Sequence, residues 1–223
     1  MKPERLIDST VTPDGGELFL YERDGVFSLR IGGIELMTSR AHASEEELAW
    51  RAIKLVRRTR RPRVLVGGLG MGYTLRAALD SSPRPLEVVV AELLPAVVRW
   101  NRDHLGALAG NPIDDPRVTI VERDIGELIA DSPQGFDVIL NDVDNGPNGC
   151  SLATNERLYR ADGLAAIRRS LRPGGVLGVW CAEPDPSFKR TIAAAGFRVH
   201  AETVYSRGVP KGPQHALFIG QLP

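Results

Sequence analysis

The sequence predicts an α/β fold: a doubly wound, mostly parallel sheet of seven strands, preceded by a small antiparallel β-meander. Three observations lead there. From Pro62 onward, five short runs rich in Val, Ile and Leu (RVLVGG, LEVVVAE, RVTIVERD, FDVILND and GVLGVWCAE) alternate with helical stretches, as expected when a parallel sheet is covered on both faces. Towards the end, AAGFRVHAETV and HALFIGQL flank a Gly/Pro-rich connector and read as two closing strands in a hairpin. Before Pro62, ELFLYERDGVFSLRIGGIELMTS alternates apolar and polar residues and is broken at Asp24-Gly25 and Gly32-Gly33. These dipeptides tolerate positive φ, so three antiparallel strands are expected.

The remaining elements follow from spacing. Ser44 precedes Glu47 by three positions, as in a capping box, and Leu48, Ala52, Leu55 and Val56 recur at helical intervals, giving a helix over residues 45–58. Further helices are expected over 72–80, 95–105, 125–130, 156–171 and 187–195. The chain divides into a meander, 1–43, and an α/β domain, 44–223. No repeat or low-complexity segment interrupts it.

Composition narrows the function. Lys and Arg (28 together) balance Asp and Glu (28) and are interspersed with them, which argues against a nucleic-acid footprint or a polybasic membrane anchor. The apolar runs are strand-sized and MKPERLIDST lacks the apolar stretch of a signal peptide, so a cytoplasmic protein with a small-molecule partner is expected. The only cysteines, Cys150 and Cys181, form neither a metal knuckle nor a CxxC pair, in keeping with a reducing compartment. Histidines 42, 104, 200 and 215 show no ligand spacing with carboxylates, and no metal is expected. The absence of a GKS or GKT segment disfavours phosphate cleavage.

The strongest local signal is VLVGGLGMGYTLRAAL, where a strand runs through Gly68, Gly70 and Gly72 straight into a helix. Glycine permits the tight turn and the close approach of a ligand, and the helix start offers unpaired N–H groups. Glu92 ends the next strand about twenty residues on, the position of an acid that accepts both hydroxyls of a ribose. Asp124 ends the third strand, where it is either an adenine reader or a simple helix N-cap. Together the three point to a nucleoside at the carboxyl edge of the sheet. A dinucleotide fingerprint is disfavoured, because Tyr73 stands where its third glycine would be.

The fourth strand ends in a cluster, Asn141, Asp142, Asp144 and Asn145. A carboxylate there can hold an ammonium group or take the proton of an attacking amine. Asp142 is the catalytic candidate and Asp144 a substrate-binding one, with Asx-turn chemistry before Gly146-Pro147 as the alternative for Asp144 and Asn145. Tyr159 and Trp180 are expected to wall the acceptor side.

Taken together, VGGLGMG, VVVAELLPAVV, DPRVTIVERD, FDVILNDVD and LRPGGVLGVW, behind a β-meander and a helix, resemble the spermidine-synthase-like branch of class I S-adenosylmethionine-dependent transferases. The resemblance covers nearly the whole chain. It implies the Rossmann-like methyltransferase sheet, nucleoside binding by Gly68, Gly70, Gly72, Glu92 and Asp124, and for Asp142 the role of the first aspartate of the DSSDP motif. Two departures stand out. The family loop GGGDGG, whose aspartate binds the amino group of the decarboxylated donor, reads GGLGMG here, with Leu69 and Met71; and DSSDP has become Asp142-Val143-Asp144-Asn145-Gly146. An apolar loop would not repel the carboxylate of intact S-adenosylmethionine. Methyl transfer from that donor to a small amine is therefore the first expectation. The alternatives are aminopropyl transfer from decarboxylated S-adenosylmethionine and a non-catalytic nucleoside-binding protein. A homodimer is expected from sheet edges that need covering.

Overall fold

The computed structural model describes residues 3–223 apart from 57, 83, 84, 144, 148, 150–152 and 211, and the backbone alone at 153 and 154. The first four strands, β1 (Arg5–Val11), β2 (Glu17–Arg23), β3 (Val26–Ile31) and β4 (Ile34–Thr38), form an antiparallel sheet in the order β1-β2-β3-β4. The two tight turns lie at Asp24-Gly25 and Gly32-Gly33, all four residues at positive φ. One strand more than expected is present: β1, with its outward residues exposed, lies along β2 as an edge. It is tied down through Asp8, which accepts the Trp100 indole N–H at 2.6 Å and an Arg99 N–H at 3.0 Å. Those bonds, Trp100 first, hold its carboxyl below the usual range.

Helix α1 (Ala43–Leu55) follows. It begins two residues earlier than the capping box required. His42 is the N-cap residue without a side-chain cap bond, and Ser44, already inside the first turn, donates its hydroxyl to Glu45 at 2.5 Å. The α/β part then runs β5 (Arg63–Gly67), α2 (Tyr73–Asp80), β6 (Glu87–Glu92), α3 (Pro95–Trp100), β7 (Val118–Glu122), α4 (Ile125–Ala130), β8 (Phe136–Asn141), α5 (Ala161–Ser170), β9 (Leu171–Cys181), α6 (Pro186–Ala194), β10 (Arg198–Tyr205) and β11 (Gln214–Gln221). Two stretches read as single helices are divided: α3 passes into a π-helical turn, Asn101–Leu105, and a 3-10 segment, Ala153–Tyr159, precedes α5.

The seven strands are ordered β10-β11-β9-β8-β5-β6-β7, parallel except for the closing hairpin, in which β11 is antiparallel to both β10 and β9. Alternate side chains serve opposite faces. Val64, Val66, Val138 and Leu140 pack under α1, α2 and α3, whereas Leu65, Ile139, Leu177 and Val179 pack under α4, α5 and α6. Leu18, Leu20 and Leu29 of the small sheet belong to the first of these cores. Helix α1 lies close on β9 because Gly178 has no side chain: a Cβ there would stand 3.0 Å from Leu48 and 3.5 Å from Ala52. Among the described residues, no helix is long and apolar enough to cross a membrane.

Candidate active site

Strand β5 pairs with β6 on one side and β8 on the other, so the chain reverses direction across the sheet at the β5–β8 boundary. Ligands of open α/β sheets bind at the carboxyl ends of the strands at such a boundary. Here the glycine turn and Asp142 meet. The Asp142 amide donates to the Gly67 carbonyl at 3.1 Å. Gly68 lies so near that a Cβ would be 2.6 Å from the Asp142 carbonyl oxygen, with φ at +82° besides. Both conditions require glycine.

A pocket opens at this point between the small sheet and the carboxyl edge of the large one. Gly68, Gly70, Glu92, Asp124, Asp142 and Trp180 all line it, joined by Glu45 from α1 and by Leu18, Leu29 and Met37 from the small sheet. Six of the residues singled out in the sequence are thus brought together. Gly72 is not among them: it caps α2 at φ +85° and faces Pro112 and Asn101. Tyr159 also points elsewhere. It is buried in the core on the far face, edge-on to Phe188 with ring centroids 5.6 Å apart, because the 3-10 segment turns it under α6 and away from the pocket. Asp144, like Cys150, lies outside the described residues.

Each carboxylate has its own environment. Glu92 is buried and accepts the Leu69 N–H on one oxygen and the Leu94 N–H on the other, both at 2.8 Å. Burial raises its pKa and these backbone donors oppose the rise. Asp124 caps α4, accepting the Glu127 N–H at 3.0 Å, and is paired with Arg157; the N-cap role is therefore realised at a residue that also faces the pocket. Asp142 accepts the Thr74 hydroxyl at 2.5 Å. Burial pushes its carboxyl up to about 6 against that bond. Glu45 is 6 % exposed, and burial followed by the charge of Asp142 pushes it up to about 8.

Part of the turn's donor capacity is already used. The Gly68 N–H is bonded to Ala91, that of Leu69 to Glu92 and that of Gly72 to Leu69. The Leu69 and Met71 side chains are buried, so neither occupies the position from which a loop residue would reach a ligand. That position is Gly70, beside which the Met37 sulfur sits 3.1 Å from where a Cβ would be. Asn101 steadies the loop from the π-helical turn, donating to the Gly70 carbonyl at 2.8 Å and to Val97 at 2.9 Å.

Residues 52–191, more than half the chain, match the spermine/spermidine synthase domain. The chain belongs to that family. A polyamine aminopropyltransferase of Mycobacterium tuberculosis is 31 % identical over 206 residues, 90 % of this chain but 36 % of that protein. Polyamine aminopropyltransferase 1 of Hyperthermus butylicus is 32 % identical over 149 residues, 66 % of this chain and 49 % of its own length. The chain thus spans between a third and a half of these relatives. Among solved structures, spermidine synthase from Thermotoga maritima superposes with a TM-score of 0.76 at 21 % identity, covering 98 % of this chain and 73 % of that one. The 1,6-didemethyltoxoflavin-N1-methyltransferase of Burkholderia thailandensis superposes with a TM-score of 0.55 at 18 % identity, covering 81 % of this chain and 79 % of that one. At these identities the structures establish the fold, a Rossmann-like methyltransferase sheet.

Three site residues are absent from the sequence reading. Thr74 and Asn101 act through hydrogen bonds to Asp142 and the turn, and nothing in a helical stretch marks either. Glu45 is hidden in the run Glu45-Glu46-Glu47, which reads as the acidic first turn of any helix.

Proposed function

We propose that the protein transfers an aminopropyl group from decarboxylated S-adenosylmethionine to a small amine, with Glu92 and Asp124 holding the nucleoside and Asp142 serving the acceptor. The observation that carries this reading is the charge of the pocket. Glu45, Glu92, Asp124 and Asp142 line it, and among the described residues the one cation of the lining, Arg123, is bonded to Glu127 and Asp131. An intact amino-acid donor would bring a carboxylate among four acidic side chains, with the N–H groups of Gly68, Leu69 and Gly72 already used. The decarboxylated donor and an amine are both cationic and suit it.

The expectation of methyl transfer from intact S-adenosylmethionine rested on Leu69 and Met71, and their burial removes that support. The names of the relatives favour the alternative. In the proposed reaction the acceptor ammonium first gives a proton to the Asp142 carboxylate. The freed nitrogen lone pair then forms the C–N bond as the C–S bond breaks, its electron pair passing to sulfur, so the sulfonium becomes a thioether and the nitrogen an ammonium. Most of the catalysis is alignment of nitrogen, carbon and sulfur in one line.

Titrating the two donors side by side tests the reading. The decarboxylated form should bind at least about tenfold more tightly, roughly 1.4 kcal/mol. Tighter binding of the intact form would restore methyl transfer, and binding of neither would leave a nucleoside fold without this activity.

A further inference from the structure

Glu45 is built into the pocket and, among the described residues, has no counter-charge. It comes from the first turn of α1, whose place is fixed by the Leu48 and Ala52 contacts over Gly178. Its side chain is nine-tenths buried and lines the same pocket as Asp142. One of its oxygens accepts the Ser44 hydroxyl at 2.5 Å. Among the described residues, neither Glu45 nor Asp142 forms an ion pair, although the two acids that follow Glu45 find basic partners: Glu46 meets the His42 ring at 2.8 Å and Glu47 pairs with Arg51. A buried carboxylate without a cation is costly to keep, and removing it from water is worthwhile only where a charge arrives to meet it.

We propose that Glu45 is a second acceptor-binding carboxylate, which with Asp142 brackets the ammonium group of the amine, one acid supplied by α1 and the other by the end of β8. The inference rests on the amine-acceptor reading above and adds to it a residue and a division of labour. Asp142, held by Thr74, takes the proton of the attacking nitrogen; Glu45 gives up its proton to solvent as the ammonium arrives, and the carboxylate so formed keeps the ammonium beside the donor carbon. Trp180, whose indole N–H has no partner among the described residues and which packs against His215 at 4.6 Å between ring centroids, forms a wall of the same pocket.

The charged and titratable groups around Glu45 make the proposal measurable. Asp142 faces it from β8, Tyr73 from α2 and Glu46 from its own helix, and His42 stacks on Tyr73 at 3.9 Å. Burial pushes Tyr73 up to about 12, so it stays neutral near pH 7. Glu45 is then the group that holds a proton in the empty pocket at that pH and releases it when an ammonium binds.

The test is calorimetry at pH 7 in two buffers of different ionisation enthalpy, with 5′-methylthioadenosine as the donor-side probe and 1,4-diaminobutane as the amine probe. The wild type should bind both and release up to about one proton per diamine. Glu45→Gln should bind the nucleoside unchanged, bind the diamine at least about tenfold more weakly and release no proton. Glu45→Asp, which keeps the charge on a shorter arm, should retain proton release at intermediate affinity, and it guards against misfolding of the amide variant. Unchanged diamine affinity or unchanged proton release in Glu45→Gln overturns the proposal while leaving the nucleoside site standing. If the wild type binds neither probe, the amine-acceptor reading falls and this inference falls with it.

Discussion

On the side of the pocket assigned to the nucleoside, Glu92 and Asp124 are held by donors from the chain itself, backbone N–H groups and Arg157. On the side assigned to the acceptor, Glu45 and Asp142 accept the hydroxyls of Ser44 and Thr74 and, among the described residues, form no ion pair. The first arrangement is complete without a ligand. It fixes the turn and leaves remaining lone pairs to neutral hydroxyl and amino groups, which suits a nucleoside whose binding changes no charge. The second is electrostatically incomplete, and a cation completes it. One wall of the pocket is thus a rigid support, and in the proposed reading the other becomes fully charged as a cation arrives.

The sharpest way to break this comparison is to remove charge from the acceptor side alone. Asp142→Asn keeps the shape and can still meet Thr74, so the fold and nucleoside affinity should survive. Turnover should fall roughly 10²–10⁴-fold, the range for loss of a positioned general base. Steady-state kinetics with calorimetry on the same preparation decides it; equal losses of binding and turnover would show that the two sides are not separable.

The same comparison explains what the sequence made legible. Gly68, Gly70, Glu92, Asp124 and Asp142 lie at strand ends, and strand ends are visible as the stops of apolar runs, so topology alone carries them to one edge. The two-faced sheet was legible for the same reason. Glu45 was not, because its position depends on how α1 lies across β9, a packing event governed by the absence of a side chain at Gly178. Tyr159 failed in the opposite way. Its place after the fourth strand was right, but its direction is decided by a short 3-10 segment that apolar periodicity does not register. Strand β1 escaped because an edge strand with one exposed side has only a weak pattern, and its anchor is the long-range bond from Trp100 to Asp8.

A second test sharpens the nucleoside side. Glu92→Ala removes an acceptor for the ligand and the shared partner of Leu69 and Leu94. Nucleoside binding should weaken by about 1.5–3 kcal/mol, the range for hydrogen bonds to a charged group. Calorimetry with 5′-methylthioadenosine reads this directly, and unchanged affinity would remove Glu92 from the site.

The smallest expected effect concerns stability and needs no ligand. Glu45 and Asp142 both have pKa values raised in the folded protein, chiefly by burial. A folded state that holds a carboxyl proton longer than the unfolded chain is most stable below the unfolded pKa, and it loses that contribution as pH rises through the folded value. For Glu45 the window runs from its ordinary value of 4.5 to about 8. Other groups contribute slopes of their own: Asp8 and Asp115 have lowered values and act at acid pH, and His215, lowered by burial, favours the folded state as pH rises. The difference between wild type and Glu45→Gln cancels these and reports Glu45 together with its coupling to Asp142. Glu45→Gln should therefore gain thermal stability relative to wild type between about pH 5 and 8.5, reaching about 1 kcal/mol or roughly 2–4 °C in Tm. Thermal melts at four pH values across that range measure it. Parallel curves for the two proteins would mean that Glu45 ionises as freely in the fold as in the unfolded chain, and the acceptor side would no longer differ from the nucleoside side in the way its charges are held.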